Sequence, residues 1–320
     1  MRIERIQIRN YRGVRECDVS FQASGNVAVL AGANGSGKTS FMEACRWCLG
    51  TDYGLRPVPA YNYEIVVSIL GNDGFRYDIR RSLNEHVAVR GDGQVVPVSN
   101  EFLNNIGAQH CWYFTSWRDP RLTDGVDIQT SNATTVRIPG TTKEETLDYI
   151  KTALVRWDVT TQFNRDESQI RQVQTVFRRL SEARNLFFPQ SPGNFVSRSI
   201  SAVLAANGFV PNMLKPDFRF ELYLQRLSDA KLISVNDLSS GELEILCFTG
   251  VLILNPLLSI VYIDEPELHL NMQWHSMLIR ALQMVAPNVQ FIVATHSSEI
   301  WNSVYPTQRF LLSEGRCFNV

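Results

Sequence analysis

Apolar positions along the chain fall into short, nearly continuous runs rather than one repeating pattern. Residues 26–30, 257–263 and 289–297 form such runs, and runs of this length are typical of strands buried on both faces of a sheet. Residues 41–49 follow the first run with helical spacing and end at Gly50, a residue type that commonly ends helices. The pattern therefore predicts an α/β fold.

The region after the first helix alternates apolar and polar positions. Residues 61–98 contain strand-like segments separated by the turn sequences Gly-Asn-Asp-Gly at 71–74 and Gly-Asp-Gly at 91–93. Glycine beside Asn or Asp favours the tight turns that join antiparallel strands. We expect an antiparallel β-meander here.

Residues 142–185 have helical periodicity. One face is apolar and consists of Ile170, Val173, Phe177 and Leu180. The other faces are crowded with arginines, at Arg171, Arg178, Arg179 and Arg184. We interpret the arginines as a solvated basic face of an amphipathic helix. A site for DNA phosphates or for an acidic partner is the alternative.

Composition narrows the class of protein without identifying it. Hydrophobic residues are 44% and charged residues 20% of the chain, and the net charge is −1, which argues against a broadly basic nucleic-acid-binding surface. There is no run of about 18 apolar residues and no cleavable signal, so we expect a cytoplasmic protein without a membrane partner. The six cysteines are scattered along the chain, which is more typical of reduced thiols than of a disulfide framework. Cys45 and Cys48 lie inside the predicted helix, where we expect them to pack in the core rather than bind metal.

A phosphate-binding loop is the strongest chemical signal. The string Gly-Ala-Asn-Gly-Ser-Gly-Lys-Thr at 32–39 matches the pattern G-x-x-x-x-G-K-[ST]. In this pattern backbone N–H groups surround a phosphate, Lys38 reaches the β- and γ-phosphates, and the Thr39 hydroxyl ligates Mg²⁺. The following helix adds the favourable end of its dipole. We predict a nucleoside triphosphate site with Mg²⁺, formed by Asn34, Gly35, Ser36, Gly37, Lys38, Thr39 and Ser40.

Two later apolar runs end in residues that would complete such a site. The run 257–263 leads directly into Asp264 and Glu265. We predict Asp264 as a second Mg²⁺ ligand and Glu265 as the general base for an attacking water, with an acidic turn as the alternative. His296 lies at the end of the run 289–297. We predict that its neutral imidazole senses the γ-phosphate, with a structural role as the alternative.

A serine-rich helix start separates these two groups of motifs. Leu-Ser-Ser-Gly-Glu at 238–242 precedes an apolar helix and could be only an N-cap. With it, the chain resembles an ABC-type ATPase head in its P-loop, signature, Walker B and switch-histidine motifs, at 32–39, 238–242, 263–267 and 294–297. The strings at 6–13 and 264–270 are similar to the SMC, RecF and OLD branch. The resemblance covers residues 1–50 and 236–300.

The resemblance implies a head-to-tail homodimer that encloses two ATP molecules. Each ATP lies on the Walker motifs of one subunit and is capped by the signature of the other, here Ser239, Ser240, Gly241 and Glu242. It also implies that the loop 267–271 crosses the dimer interface and that Arg12 lies near the base or the phosphates. The family's Q-loop glutamine is missing from 111–118, and Gln129 is the candidate substitute as a metal ligand. The alternative for 111–118 is an aromatic core strand that ends in a polar turn. Preference for ATP over GTP rests on the resemblance alone.

The same resemblance defines the expected architecture. It is an α/β, P-loop ABC-type ATPase head with a mixed central sheet, an antiparallel β lobe and a helical insertion lobe. We expect ATPase lobe I at 1–135, the helical insertion at 136–235, and the signature, Walker B and switch-histidine half at 236–320. The helical segment is too short for the coiled coil of SMC proteins. The stretch after His296 is too short for the nuclease domain of OLD proteins, so we expect an ATPase head alone.

Two biological roles follow from this resemblance. The first is a slow regulatory ATPase of bacterial anti-phage defence that controls a separately encoded nuclease or toxin. The second is a RecF-like ATPase that binds DNA in repair or recombination. A transporter motor fits less well, because the string at 264–270 is similar to the soluble branch. Tight, salt-sensitive DNA binding would favour the second role, and a stoichiometric protein complex would favour the first.

Overall fold

A computed structural model shows the fold of residues 1–21, 25–51, 61–116, 126–127, 143–206 and 219–319. The chain divides into two compact units. Unit 1 comprises Met1–Ser116 and Leu257–Val320, and unit 2 comprises Trp117–Pro256. The signature helix packs against the two long helices of unit 2, so it belongs to that unit. The expected division at 135 and 235 stays a prediction.

The elements follow in chain order. The strands are β1 Arg2–Tyr11, β2 Val14–Ser20, β3 Val27–Ala31, β4 Glu64–Leu70, β5 Arg76–Ser82, β6 His86–Arg90, β7 Val95–Pro97, β8 Cys111–Phe114, β9 Val126–Asp127, β10 Gly193–Ser199, β11 Arg219–Arg226, β12 Leu232–Ser234, β13 Ile260–Asp264, β14 Gln290–Thr295, β15 Arg309–Ser313 and β16 Arg316–Asn319. The helices are α1 Lys38–Cys48, α2 Asn100–Ile106, α3 Lys143–Asn164, α4 Glu167–Phe187, α5 Ile200–Ala206, α6 Ser240–Leu254, α7 Met272–Val285 and α8 Ser298–Asn302. None of these described helices is both long enough and apolar enough to cross a membrane.

Unit 1 is built on a 12-stranded mixed sheet. Across the described residues its strand order is β7-β6-β5-β4-β1-β2-β16-β15-β3-β14-β13-β8. Strands β15, β3, β14, β13 and β8 run parallel to one another. Strands β4 to β7 form a run of antiparallel pairs that continues into β1 and β2. The expected mixed central sheet and antiparallel meander are confirmed.

Helix α1 packs into the core of unit 1. Cys45 and Cys48 are fully buried, and their thiols donate to the carbonyl oxygens of Phe41, at 3.2 Å, and Ile79, at 3.1 Å. Burial raises the pKa of Cys48 to about 12, so this thiol stays protonated at neutral pH. The expected core role of both cysteines is confirmed. In the described part of the chain, no group of three or more His, Cys, Asp or Glu residues could hold a metal ion.

Unit 2 combines helices with a small antiparallel sheet. Strand β11 pairs with β10, β12 and β9, and helices α3, α4 and α6 pack on one another. The predicted helical stretch is two helices, because the Asp166 carboxylate accepts from the N–H groups of Ser168, at 2.9 Å, and Gln169, at 3.3 Å, and so starts α4 afresh. Val173 and Leu180 are buried, as their apolar spacing predicts.

The predicted basic face of α4 is wrong for one residue. Arg171 and Arg178 are exposed and pair with Glu167 and Glu182, one helical turn away. Arg184, by contrast, is only 2% exposed. It comes near the end of α4, where the helix packs against α6, so its guanidinium is enclosed by protein rather than by water.

A buried ion pair joins α3 to β11. The Lys151 ammonium lies 2.9 Å from Glu221 Oε2, and the two side chains are 0% and 5% exposed. The same ammonium donates to Asn236 Oδ1 at 3.4 Å. Removing one member of such a pair leaves the other charge buried without its counterion, which commonly costs about 3–5 kcal/mol.

We expect Lys151→Met to lower the free energy of unfolding by about 3 kcal/mol, because the Glu221 carboxylate stays buried. Urea titration followed by circular dichroism measures this loss. Arg171→Met is the control, since its pair with Glu167 is exposed and should be worth less than about 0.5 kcal/mol. Equal losses in the two variants would contradict the role of the buried pair, and recovery in Lys151→Met/Glu221→Leu would support it.

Candidate functional site

Three neighbouring parallel strands end at one edge of the unit 1 sheet. Strands β3, β14 and β13 lie side by side in that order. The phosphate loop follows β3, His296 follows β14, and Glu265 follows β13. Since the carboxyl ends of parallel strands meet at the same edge, the three segments converge there.

The phosphate loop joins β3 to α1 through glycines with positive φ. Gly37 is the N-cap of α1, with φ 105°, and a Cβ added to it would lie 3.1 Å from the Gly13 carbonyl oxygen. Only glycine fits this combination of backbone angle and close approach. Ser36 Oγ is buried and has no hydrogen-bond partner among the described residues. An orphaned hydroxyl at a helix N-terminus fits a phosphate oxygen.

Lys38 lies over this loop. Its ammonium donates to the carbonyl oxygens of Gly32, at 2.9 Å, and Ala33, at 3.2 Å, and lies 2.9 Å from Nε2 of His296. The residue is only 6% exposed. Burial lowers its pKa, and the nearby carboxylates, first Glu265, oppose that shift. The cation is therefore placed where negative phosphate charge would stabilise it.

Thr39 and Asp264 form the candidate metal position. The Thr39 hydroxyl donates to Asp264 Oδ2 at 2.9 Å, and Asp264 is 2% exposed. The Tyr113 hydroxyl donates to the same oxygen at 3.4 Å. Burial, and then the Asp264 charge, raise the pKa of Tyr113, so it remains a donor at neutral pH. A hydroxyl beside a carboxylate is the kind of oxygen ligand pair that Mg²⁺ takes together with phosphate oxygens.

Glu265 and His296 face each other across the strand ends. Glu265 has φ 50°, an uncommon backbone conformation for a residue other than glycine, and its Oε1 lies 3.5 Å from His296 Nε2. Glu267 holds the strand that carries His296. Its carboxylate accepts from the His296 N–H at 2.5 Å and from the Thr295 hydroxyl at 2.7 Å. Nε2 of His296 thus lies between the Lys38 ammonium, at 2.9 Å, and the Glu265 carboxylate.

Arg12 is held near the loop by two partners. It has φ 52°, its guanidinium donates to Glu43 Oε2 at 2.8 Å, and its backbone N–H donates to the Tyr61 hydroxyl oxygen at 2.9 Å. The side chains of Arg12 and Glu43 are 12% and 7% exposed. The charge of Arg12 is thus balanced within the protein, on the α1 side of the loop.

These groups surround one cavity of about 660 Å³, a volume within the range of small-molecule sites. Of the residues predicted from the sequence, those that line it are Arg12, Asn34, Gly35, Gly37, Lys38, Thr39, Ser40, Glu265 and His296. Gly13, the last residue of the string at 6–13, lines it as well, and so does Tyr61, which no sequence motif marks. Ser36 is part of the phosphate loop that lines the cavity, and Asp264 accepts a hydrogen bond from the lining residue Thr39. Both therefore lie next to the cavity. Gln129 lies outside the described residues.

The signature residues lie together in unit 2. Ser239 is the N-cap of α6, and its hydroxyl accepts from the Glu242 N–H at 3.3 Å. Glu242 Oε2 in turn accepts from the Ser239 N–H and hydroxyl, at 3.1 and 3.0 Å. This reciprocal arrangement is a capping box, so the N-cap reading of this segment is realised. Ser239 and Ser240 are exposed, while Gly241 is buried.

Arg184 is the residue of unit 2 that sequence reasoning placed wrongly. Its Nη2 lies 2.5 Å from Glu242 Oε1, with the side chains 2% and 15% exposed. Its Nη1 donates to the Ser191 carbonyl oxygen at 2.5 Å. A partly buried Glu242 signals that a cation must be near, but the periodicity of α4 gave no indication that Arg184 supplies it.

Two protein families match this chain. A family described as "AAA domain, putative AbiEii toxin, Type IV TA system" matches residues 112–302, and one described as "AAA domain" matches residues 5–199. Each match spans more than half of the chain. The chain belongs to the AAA-domain family. It contains the ATPase domain that its P-loop indicates.

Two curated relatives match a shorter segment. Retron Vc95 probable ATPase of Vibrio cholerae serotype O1 biovar El Tor is 34% identical over an alignment of 94 residues, and the match covers 26% of this chain and 18% of the relative. Retron Ec83 probable ATPase of Escherichia coli is 35% identical over an alignment of 98 residues, and the match covers 27% of this chain and 18% of the relative. The match thus spans less than a fifth of either relative.

The fold has solved counterparts. An SMC head bound to the C-terminal winged-helix domain of ScpA aligns with a TM-score of 0.63 and 14% identity, covering 100% of this chain and 97% of that one. At this identity the likeness concerns the fold alone. It confirms the expected fold of an SMC-type ATPase head.

Proposed function

We propose that unit 1 binds ATP with Mg²⁺ in the described cavity and hydrolyses it slowly to ADP and phosphate. The observation that carries this proposal is the convergence of three elements at the ends of adjacent parallel strands. They are the loop ammonium of Lys38, the Thr39–Asp264 oxygen pair and the Glu265–His296 pair. Phosphoryl transfer requires positioning and charge stabilisation more than covalent chemistry, and these groups supply both.

Each residue has a part in this reaction. Lys38 and the loop N–H groups bind the β- and γ-phosphates, and Thr39 and Asp264 hold Mg²⁺. Bound Mg²⁺ supplies neutralisation of the charge that develops on the phosphate oxygens. Glu265 accepts the proton of a water whose oxygen attacks the γ-phosphorus, while the bond to the bridging oxygen of ADP breaks. His296, fixed through its backbone by Glu267, donates an N–H to a γ-phosphate oxygen or hydrogen-bonds the attacking water.

We further propose that two copies enclose ATP head to tail, with Ser239, Ser240, Gly241 and Glu242 of one copy capping the nucleotide of the other. The support is the exposure of Ser239 and Ser240 at the start of α6, a 15-residue helix whose N-terminus attracts anions. The Arg184 guanidinium lies beside Glu242 and balances the negative charge of that carboxylate at the helix start. The fold shared with SMC heads is consistent with such pairing.

For the biological role, we propose a regulatory ATPase of the bacterial cytoplasm that controls a separately encoded nuclease or toxin in defence against phage. The names of the two retron ATPase relatives and the type IV toxin–antitoxin description of the matched family support this role. A RecF-like DNA clamp finds less support on α4. Of the four arginines predicted there, Arg171 and Arg178 are paired with glutamates and Arg184 is buried, so these three offer little charge to DNA phosphates. Arg179 is exposed.

Glu265→Gln removes the proposed general base while keeping the shape of the side chain. We expect ATP to bind normally and turnover to fall by about 100-fold or more, with an ATP-bound dimer accumulating. Phosphate release and size-exclusion chromatography with light scattering measure the two effects.

Glu314→Gln is the matched control for this variant. Glu314 also has φ 50° and is exposed on the turn between β15 and β16, so its turnover should equal that of the wild type. Wild-type turnover in Glu265→Gln would show that another group activates the water.

Ser240→Arg tests capping in trans. We expect the bulky cation at the start of α6 to leave ATP binding by isolated subunits unchanged and to abolish both dimerisation and turnover. Ser168→Arg is the control, because Ser168 is an exposed residue in the first turn of another unit 2 helix. Normal ATP-dependent dimerisation of Ser240→Arg, measured by light scattering, would refute the trans arrangement.

The regulatory role is tested with tagged Glu265→Gln expressed in the native host and purified with ATP and Mg²⁺. We expect a stoichiometric nuclease or toxin-like protein to co-purify, identified by mass spectrometry, and to be released when ATP is removed. Recovery of DNA with recombination factors instead would assign the domain to the repair role.

A further inference from the structure

One wall of the cavity is aromatic, and the proposed hydrolysis makes no use of it. Tyr61 lines the cavity together with Arg12, Gly35 and Lys38. It is 50% exposed, although large aromatic side chains usually bury most of their surface. Among the described residues, the rest of the lining consists of glycines and polar or charged side chains, so within this part of the chain Tyr61 contributes the large apolar surface.

The hydroxyl end of Tyr61 is held in place by the backbone. The Tyr61 hydroxyl oxygen accepts from the Arg12 N–H at 2.9 Å. Arg12 is itself fixed, since its guanidinium donates to Glu43 at 2.8 Å and lies 5.3 Å from the centre of the Tyr11 ring. The far end of Tyr61 is therefore anchored to the backbone next to the phosphate loop, while half of the residue faces open space.

An anchored, half-exposed ring beside a phosphate-binding loop suits a ligand that carries an aromatic system attached to phosphates. Base–aromatic stacking is favourable for any nucleobase, because every base has a π face. Arg12 does not compete as a free cation for the phosphates, since Glu43 balances its charge. The cavity thus presents a polar end for phosphates and a flat apolar surface near Arg12.

We propose that Tyr61 is the stacking platform for the nucleobase of the bound nucleoside triphosphate. The proposal rests on the proposed function of the cavity and adds to it the residue that distinguishes a nucleotide from a bare polyphosphate. Lys38 and the loop bind the phosphates of either ligand, whereas Tyr61 contacts only the ligand with a base. Substitution of Tyr61 should therefore change the affinity for ATP selectively.

The test compares the binding of ATP and of inorganic tripolyphosphate, each with Mg²⁺, by isothermal titration calorimetry on the full chain. We expect Tyr61→Ala to weaken ATP binding by about tenfold, a loss within the range for base–aromatic stacking, and to change tripolyphosphate binding by less than about twofold. Tyr61→Phe keeps the ring and removes only the hydroxyl, so its affinity for ATP should stay within about threefold of the wild type. Tyr61→Leu, which retains bulk without an aromatic face, should behave like the alanine variant.

Two results would contradict the proposal that Tyr61 is a stacking platform. Unchanged ATP affinity in both Tyr61→Ala and Tyr61→Leu would show that the base does not contact the ring. Equal losses for ATP and tripolyphosphate would show that Tyr61 acts only by supporting Arg12 and the loop.

Lys38→Ala separates failure of the platform from failure of the site. This variant should lose both ligands, because both need the ammonium. If the wild type bound neither ATP nor tripolyphosphate, or if Lys38→Ala bound both normally, the proposed function of the cavity would be wrong. The proposal for Tyr61, which rests on it, would then be wrong as well.

Discussion

The parallel pairing of β3, β14 and β13 is the constraint on which the rest of the site depends. In this register Asp264 lies opposite Ala294, and Ala294 lies opposite Leu30. The Glu265 N–H still donates to the Ala294 carbonyl oxygen at 2.8 Å, after which the chain turns away with positive φ. A shift of one residue would send the Asp264 side chain to the other face of the sheet. The chemistry at this edge is therefore set by backbone hydrogen bonds.

Charge balance links the groups that this register brings together. Burial alone would favour a neutral Lys38, and Glu265, Asp264 and Glu267 act against that tendency. The same carboxylates would repel a polyphosphate that entered by itself. A divalent cation that arrives with the polyphosphate removes this conflict, because it binds the carboxylate and the phosphate oxygens together. The proposed metal–nucleotide complex would therefore fit the charge balance of this cavity.

Much of this organisation could be predicted from sequence because its determinants are local. The apolar runs predicted β3, β13 and β14, since a strand buried on both faces has to be apolar along its length. The residues that follow each run were then expected at one edge. The glycine-containing turns likewise predicted the meander of β4 to β7. Local patterns failed at the start of α4, where Asp166 begins a new helix. Which unit holds the signature helix depends on its packing against α3 and α4, which no local pattern specifies.

The residues that escaped prediction are single polar side chains whose partners come from distant segments. Tyr113 reaches Asp264, and Arg184 reaches Glu242, across many intervening residues. Nothing in the neighbours of Arg184 separates it from the exposed arginines of α4. What distinguishes Arg184 is its partner Glu242. Because Oε2 of Glu242 is used by the capping box, its Oε1 needs another donor in a place with little water. Sequence can indicate that such a carboxylate requires a cation, but only packing decides which arginine is close enough to provide it.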